Sequence, residues 1–191
     1  AICDVVAKHR GVYITHVRSE ADWLEEGIAE AIEIGRRTGV AVEIYHLKAA
    51  GDANWSKLDD VIAKVEAARD SGLAITADMY TYTAGSTGFD AAMPLWVQAG
   101  GLEAWVARLQ DPPQRARVIE EMRNPPAGEE NLFRTAGSPE RVLLVGFKNP
   151  ALKPLTGKTL ADVMKMRGAS AEDTIVDLVI EDNSRVQVIY F

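Results

Sequence analysis

The sequence is almost without cysteine: Cys3 is the only one among 191 residues, which excludes a disulfide scaffold. Positive charge is also in deficit. The 21 Lys and Arg residues face 28 Asp and Glu, for a formal net charge of −7. The basic residues are scattered rather than gathered in a stripe, so a strong nucleic-acid binder is excluded. No apolar run approaches the ~20 residues needed to span a bilayer. Asp4, Lys8 and Arg10 interrupt the start of the chain, so no signal peptide is read there and a cytoplasmic location is expected. What remains is ordinary globular composition, 47% hydrophobic, with enough apolar residues for one core.

The order of apolar runs and caps gives the fold class. Residues 1–10 read as the end of a helix, stopped at Gly11. Val12-Tyr13-Ile14-Thr15 is a β-branched and aromatic run, hence a strand. Ser19 offers an N-cap, with Glu20 and Asp22 in the first turn. Leu24, Ile28, Ala31, Ile32 and Gly35 follow at helical spacing, and Gly39 is the stop. Val40 to Tyr45 is a second strand. Ser56 and Asp59 have capping-box spacing ahead of the stripe Leu58, Val61, Ile62, Val65 and Ala68. Gly72 ends that helix, and Leu73 to Met79 is a third strand. Residues 11–80 thus read strand, helix, strand, helix, strand, the signature of an α/β fold with a parallel sheet and right-handed crossovers. The strands are nearly continuous apolar runs, which predicts cover on both faces.

After Tyr80 the regularity stops. Residues 81–101 read as irregular, with Gly85, Gly88, Pro94 and Gly100-Gly101. Helices are predicted near 102–110 and 113–123, a loop over 124–140, and a short strand over Arg141 to Val145. Thr159 and Ser170 each cap a further helix, with Asp162 and Asp173 at the box positions. Arg185 to Phe191 reads as a last strand. So long a run between ordered βα units suggests an inserted flap or lid.

Two of the βα units share more than a pattern. Ile14-Thr15-His16-Val17-Arg18 ends the first strand, and Ile44-Tyr45-His46-Leu47-Lys48 ends the second. Each puts a His at a carboxyl strand end and a base two residues later. Adjacent strand ends lie ~5 Å apart, so both imidazoles can converge on one ion, and such ends are where α/β folds keep their sites. From spacing alone a metal pair and two hydrogen-bonded neutral histidines stand about level. Arg18 and Lys48 could grip an anionic substrate group or be ion-paired. The third strand end carries Tyr80, Tyr82 and a small-residue loop, Thr83 to Gly88, able to bind an oxyanion or to serve as a flexible turn. His9 reads as solvated surface and Cys3 as a core thiol. Gly157-Lys158-Thr159 lacks the first glycine of a phosphate-binding loop, and the loop at Ser86 lacks the order of a nucleophile elbow.

These residues resemble the D-aminoacylase (N-acyl-D-amino-acid deacylase) branch of the amidohydrolase superfamily. The resemblance runs through Tyr13 to Glu20, His46-Leu47-Lys48 and Tyr80 to Thr87, then more weakly through Pro94-Leu95-Trp96, Gly100-Gly101 and Gly157 to Leu160. Tyr45 and Thr81 depart from it, since the family usually has a small residue and often Pro there.

The resemblance implies a partial (β/α)8 barrel in which the three strands are the fifth, sixth and seventh, with a long helical insertion after the third. On that basis the expected division is a βαβαβ core over 11–80, a flap over 81–157, and helices with a terminal strand over 158–191. His16 and His46 match zinc ligands. Lys48, Tyr80 and Ser86 match positions that hold the substrate carboxylate or orient its amide, with Arg18 as a further candidate. The implied partner is a small N-acyl-D-amino acid, with no nucleic acid and no membrane, and the implied reaction is hydrolysis of its amide by metal-activated water.

The H-x-H pair, the cysteine ligand and the general-base Asp that the family uses have no match here. The Asp is expected beyond Phe191, and the chain is expected to be an inactive internal fragment that self-associates through exposed sheet edges. A complete barrel needs about 250 residues. The alternatives are a non-catalytic α/β binding or assembly domain and a different amidohydrolase acting on cyclic amides or ureas.

Overall fold

The computed structural model describes residues 1–191, which divide into two compact units, Ala1–Thr81 and Tyr82–Phe191. No helix is long and apolar enough to cross a membrane.

The first unit runs α1 (Ile2–Lys8), β1 (Val12–Thr15), α2 (Leu24–Thr38), β2 (Ala41–Ile44), a 3-10 helix (Asp52–Lys57), α3 (Leu58–Asp70) and β3 (Ile75–Ala77). The strands form a parallel sheet in the order β1-β2-β3. The register sets Tyr13 beside Val42 and Val42 beside Ile75, then Thr15 beside Ile44 and Ile44 beside Ala77. These neighbours share one face, since side chains alternate along a strand. Leu24, Ile28 and Ile32 of α2 and Val61 and Val65 of α3 close over it and form one buried cluster with Val42, Ile44 and Ile75. A Cβ on Gly35 would lie 2.7 Å from Val42 Cγ2, so this glycine sets how closely α2 approaches the sheet. Gly39 ends α2 in the left-handed conformation at φ 69°.

Two expectations change here. The opposite face carries Val12 and Ile14, 53% and 61% exposed, so the helices cover one face and not both. The helices also start later than their caps suggested. The Ser19 hydroxyl accepts from the amides of Ala21 and Trp23 at 3.2 Å each, closing a local turn, and α2 begins only at Leu24. Ser56 lies inside the 3-10 helix, and α3 begins at Leu58 without a side-chain cap.

The second unit contains β4 (Gly85–Gly88), α4 (Leu102–Gln110), α5 (Pro112–Arg123), α6 (Leu132–Ala136), β5 (Val142–Gly146), α7 (Leu160–Arg167), α8 (Ala171–Asp182) and β6 (Gln187–Tyr190). Its sheet is antiparallel in the order β4-β6-β5. Phe89, Leu109, Met122, Leu144, Ile175 and Leu178 lie at the centre of its core. Asp111 caps α5, Thr159 and Asp162 form a reciprocal capping box on α7, and Ser170 caps α8.

Two stretches read as loop are ordered. Asn131 caps α6 within 124–140, and its buried amide also donates to the carbonyls of Ala92 and Met122. Gly85 to Gly88 is a strand with no apolar side chain, formed by main-chain pairing with β6. A Cβ on Gly88 would sit 2.7 Å from Arg185 Cβ, so only glycine permits that approach.

Tyr190 gives this unit an alkaline limit. Its hydroxyl donates to the Gly88 carbonyl at 3.3 Å. Burial, then the nearby Asp90 charge, push the phenol far above its ordinary range. The unfolded chain ionises this group near pH 10, about where free tyrosine does. The folded state therefore keeps its full stability below that pH and loses about 1.4 kcal/mol for each further pH unit. Tyr190→Phe is expected to remove this dependence, at a cost of about 1 kcal/mol for the lost hydrogen bond. Urea unfolding of both proteins across the alkaline range checks it, and parallel slopes would refute it.

Candidate metal centre

Thr15 of β1 lies beside Ile44 of β2, so the two strands end level. Alternation puts His16 on the open face with Val12 and Ile14. The same rule would put His46 on the helix-covered face with Ile44. His46 escapes it because its backbone is left-handed, with φ 40°, a region where His is enriched among non-glycine residues. The end of β3 holds that bend. Asp78 Oδ1 accepts from the His46 amide at 2.5 Å, the Asp78 carbonyl accepts from the Leu47 amide at 2.8 Å, and the Asp78 amide donates to Ile44 O at 3.1 Å.

The rings then face one another edge-on with centroids 5.0 Å apart. His16 Nδ1 lies 3.3 Å from His46 Nε2. Two nitrogens on a tetrahedral zinc at 2.0–2.1 Å stand about 3.3 Å apart. Two lone pairs at that distance need a proton or a cation between them, so the donor set fits a metal ion.

A third group completes the cluster. Glu20 is 6% exposed. Its Oε1 lies 2.5 Å from Lys48 Nζ, 2.8 Å from His46 Nδ1 and 3.3 Å from His16 Nδ1. One ligand atom from each of His16, Glu20 and His46 fall within 4.8 Å of one another. Burial alone would raise the Glu20 carboxyl, but hydrogen bonds from His16 and Lys48 and their charge hold it below the usual carboxylate range. Lys48 Nζ also lies 2.8 Å from His46 Nδ1 and 5.3 Å from the centre of the Tyr80 ring. The Tyr80 hydroxyl is pushed up by burial and by the Glu20 charge.

The structure thus gathers His16, His46, Lys48 and Tyr80 in one place. Arg18 instead reaches Glu30 on α2 at 2.5 Å. Ser86 lies in the second unit on β4, where its hydroxyl donates to Val188 O at 3.2 Å. His9 is exposed at the end of α1, and the free Cys3 packs at the edge of the first core. Glu20 is the functional candidate that sequence reasoning missed. The sequence places it in a helical first turn; in the structure the Ser19 hydroxyl closes a local turn, α2 starts only at Leu24, and Glu20 is buried.

Parts of known proteins resemble the chain in sequence and in fold. No family profile matches the chain. An N-acyl-D-glutamate deacylase of Alcaligenes xylosoxydans xylosoxydans is 35% identical over 83 residues, 44% of this chain and 17% of its own length. A D-aminoacylase of the same organism is 34% identical over 86 residues, 45% of this chain and 18% of its own. Over these stretches of 83 and 86 residues the chain is similar to D-aminoacylases. It spans less than a fifth of the length of these curated relatives. Among solved structures, a D-aminoacylase that defines a novel subset of amidohydrolases aligns over 100% of this chain and 30% of its own, at 26% identity and a TM-score of 0.64. An N-acyl-D-glutamate deacylase of Bordetella bronchiseptica, complexed with zinc and a phosphonate inhibitor, aligns over the same shares at 22% identity and a TM-score of 0.68, a likeness of fold. The chain is a mixed α/β structure, with a parallel sheet and helices, similar to part of these deacylases.

Proposed function

We propose that this chain is the metal-binding portion of a zinc-dependent hydrolase that cleaves the amide of N-acyl-D-amino acids. The observation that carries it is the 3.3 Å separation of His16 Nδ1 and His46 Nε2, the span of two ligands on one zinc ion. Relatives that are D-aminoacylases support the substrate class. The chemistry zinc supplies in such a site is activation of water for attack on the acyl carbon.

His16 and His46 hold the ion. Lys48 receives the substrate carboxylate, since Glu20 takes one of the three donors of its ammonium. Tyr80 stays protonated and donates beside it. Ser86 orients the amide, and Arg18 is the outer basic group. The fold is part of a (β/α)8 barrel, with β1, β2 and β3 as its fifth to seventh strands and residues 81–157 as a flap. The open sheet face with Val12 and Ile14 supports that reading, because a barrel turns this face inward. The isolated chain is inactive and self-associates through its open sheet.

The test measures zinc stoichiometry and release of free D-amino acid from N-acetyl-D-amino acids. The expected result is one zinc held weakly by this chain without turnover, and turnover by a polypeptide that joins the chain to the remaining length of its relatives. Failure of that longer polypeptide, loaded with zinc, to release any D-amino acid would overturn the function.

A further inference from the structure

We propose that Glu20 is a positioning residue: its carboxylate accepts a hydrogen bond from Nδ1–H of His46, holds the ring proton there and so leaves the Nε2 lone pair of that ring aimed at the ion. The purpose of this device rests on the metal reading above; its geometry does not.

A neutral imidazole has one N–H and one lone pair, and the hydrogen bond at one nitrogen decides which is which. Nε2 is the atom that faces His16, so it must carry the lone pair if both rings are to hold one ion. Two groups compete at Nδ1, both at 2.8 Å: the Lys48 ammonium and the Glu20 carboxylate. They act in opposite directions. An ammonium donating to Nδ1 drives the ring proton to Nε2 and blocks the ligand position. A carboxylate accepting from Nδ1–H keeps Nε2 open.

The 2.5 Å contact between Lys48 Nζ and Glu20 Oε1 decides the contest. It is shorter than either contact to the ring and joins two opposite charges, so the ammonium donates to the carboxylate. Lys48 is thereby withheld from the imidazole, and Glu20 accepts from both. The same contact argues against Glu20 as a ligand, because a divalent ion on that oxygen would face the ammonium across a few ångströms in a buried site.

The experiment uses the full chain labelled with 15N, without metal and then titrated with zinc. Imidazole nitrogen–proton correlation spectra at about pH 8, where free histidine is neutral, distinguish the tautomers. The wild type is expected to show Nδ1–H at His46. In Glu20→Gln the ammonium turns to the imidazole, a stronger base than the amide oxygen. The proton then moves to Nε2, and zinc affinity falls about 10–100-fold, the usual cost of losing such a support. In Glu20→Gln with Lys48→Met the competing donor is gone, so the tautomer returns and most of the affinity with it.

An unchanged tautomer in Glu20→Gln overturns the proposal, even if zinc affinity falls, because Glu20 would then act as a ligand. Absence of rescue by the double variant also overturns it. If the wild type binds no zinc, the metal reading fails while the tautomer comparison still decides this one.

Discussion

Exchanging His46 for asparagine is expected to lower zinc affinity by at least about 100-fold while leaving the fold intact. Loss of a group that merely supports a ligand costs about 10–100-fold, so loss of the ligand itself must cost more. Asparagine is the informative choice because His46 sits at φ 40°. Asparagine tolerates the left-handed region, whereas alanine there adds about 1–2 kcal/mol of backbone strain. The His46 amide can also keep its bond to Asp78, since that contact is main-chain on the His46 side. His16→Ala should produce the same loss of zinc by a simpler route. Its side chain is 58% exposed, so truncation should change stability by no more than about 0.5 kcal/mol. His9→Ala is the control, being exposed at the far end of α1. Competition for zinc against a chromophoric chelator reads the affinity, and circular dichroism of the metal-free proteins reads the fold. Zinc binding as tight as wild type in either variant would remove the metal centre.

This site was legible in the sequence only in part, for physical reasons. The repeat of a His two residues before a base at two strand ends is a local pattern, and so are the strands and helices around it. Level strand ends follow from a parallel pair whose crossovers are similar. The direction of His46 does not follow, because alternation would send it to the wrong face. What redirects it is a positive φ held by Asp78, a residue 32 positions away. Glu20 was hidden for a related reason. An acidic residue just after a serine is the ordinary sign of a helix start, and only the later start of α2 frees it to turn inward. The zinc reading and the substrate came from the family resemblance, not from composition or spacing. In the second unit, β4 was illegible because a strand of Gly, Ser and Thr carries no hydrophobic period; its pairing is a main-chain property that β6 supplies. The covered sheet face was readable from its apolar positions, but equally apolar Val12 and Ile14 gave no sign that their own face lacks helical cover.

Phe89→Ala is expected to destabilise the second unit by about 3–5 kcal/mol, the usual cost of truncating a buried aromatic ring. Phe89 has no exposed surface and lies in the same cluster as Leu109, Met122 and Leu178. The size of such a loss depends on whether the surroundings can collapse into the space. Here the backbone is pinned on both sides. The Phe89 amide donates to Arg185 O at 2.8 Å, and three residues on, the Ala92 carbonyl accepts from the buried Asn131 amide at 3.0 Å. Gly88 just before it is already closed in by Arg185. The segment therefore cannot sink toward the core, and the cavity stays open. Leu95, 71% exposed, supplies the contrast: Leu95→Ala should change stability by no more than about 0.5 kcal/mol. Amide exchange in β5 and β6 under native conditions reads the unit directly, because their slowest amides exchange through its opening. A loss below about 1 kcal/mol in Phe89→Ala would mean that the segment relaxes, and that the hydrogen bonds at Arg185 and Asn131 do not fix it. A loss in the expected range is a large share of the 5–15 kcal/mol that stabilises an ordinary domain. It would make this one ring, set directly after a strand with no apolar residue, a principal anchor of the β4 edge.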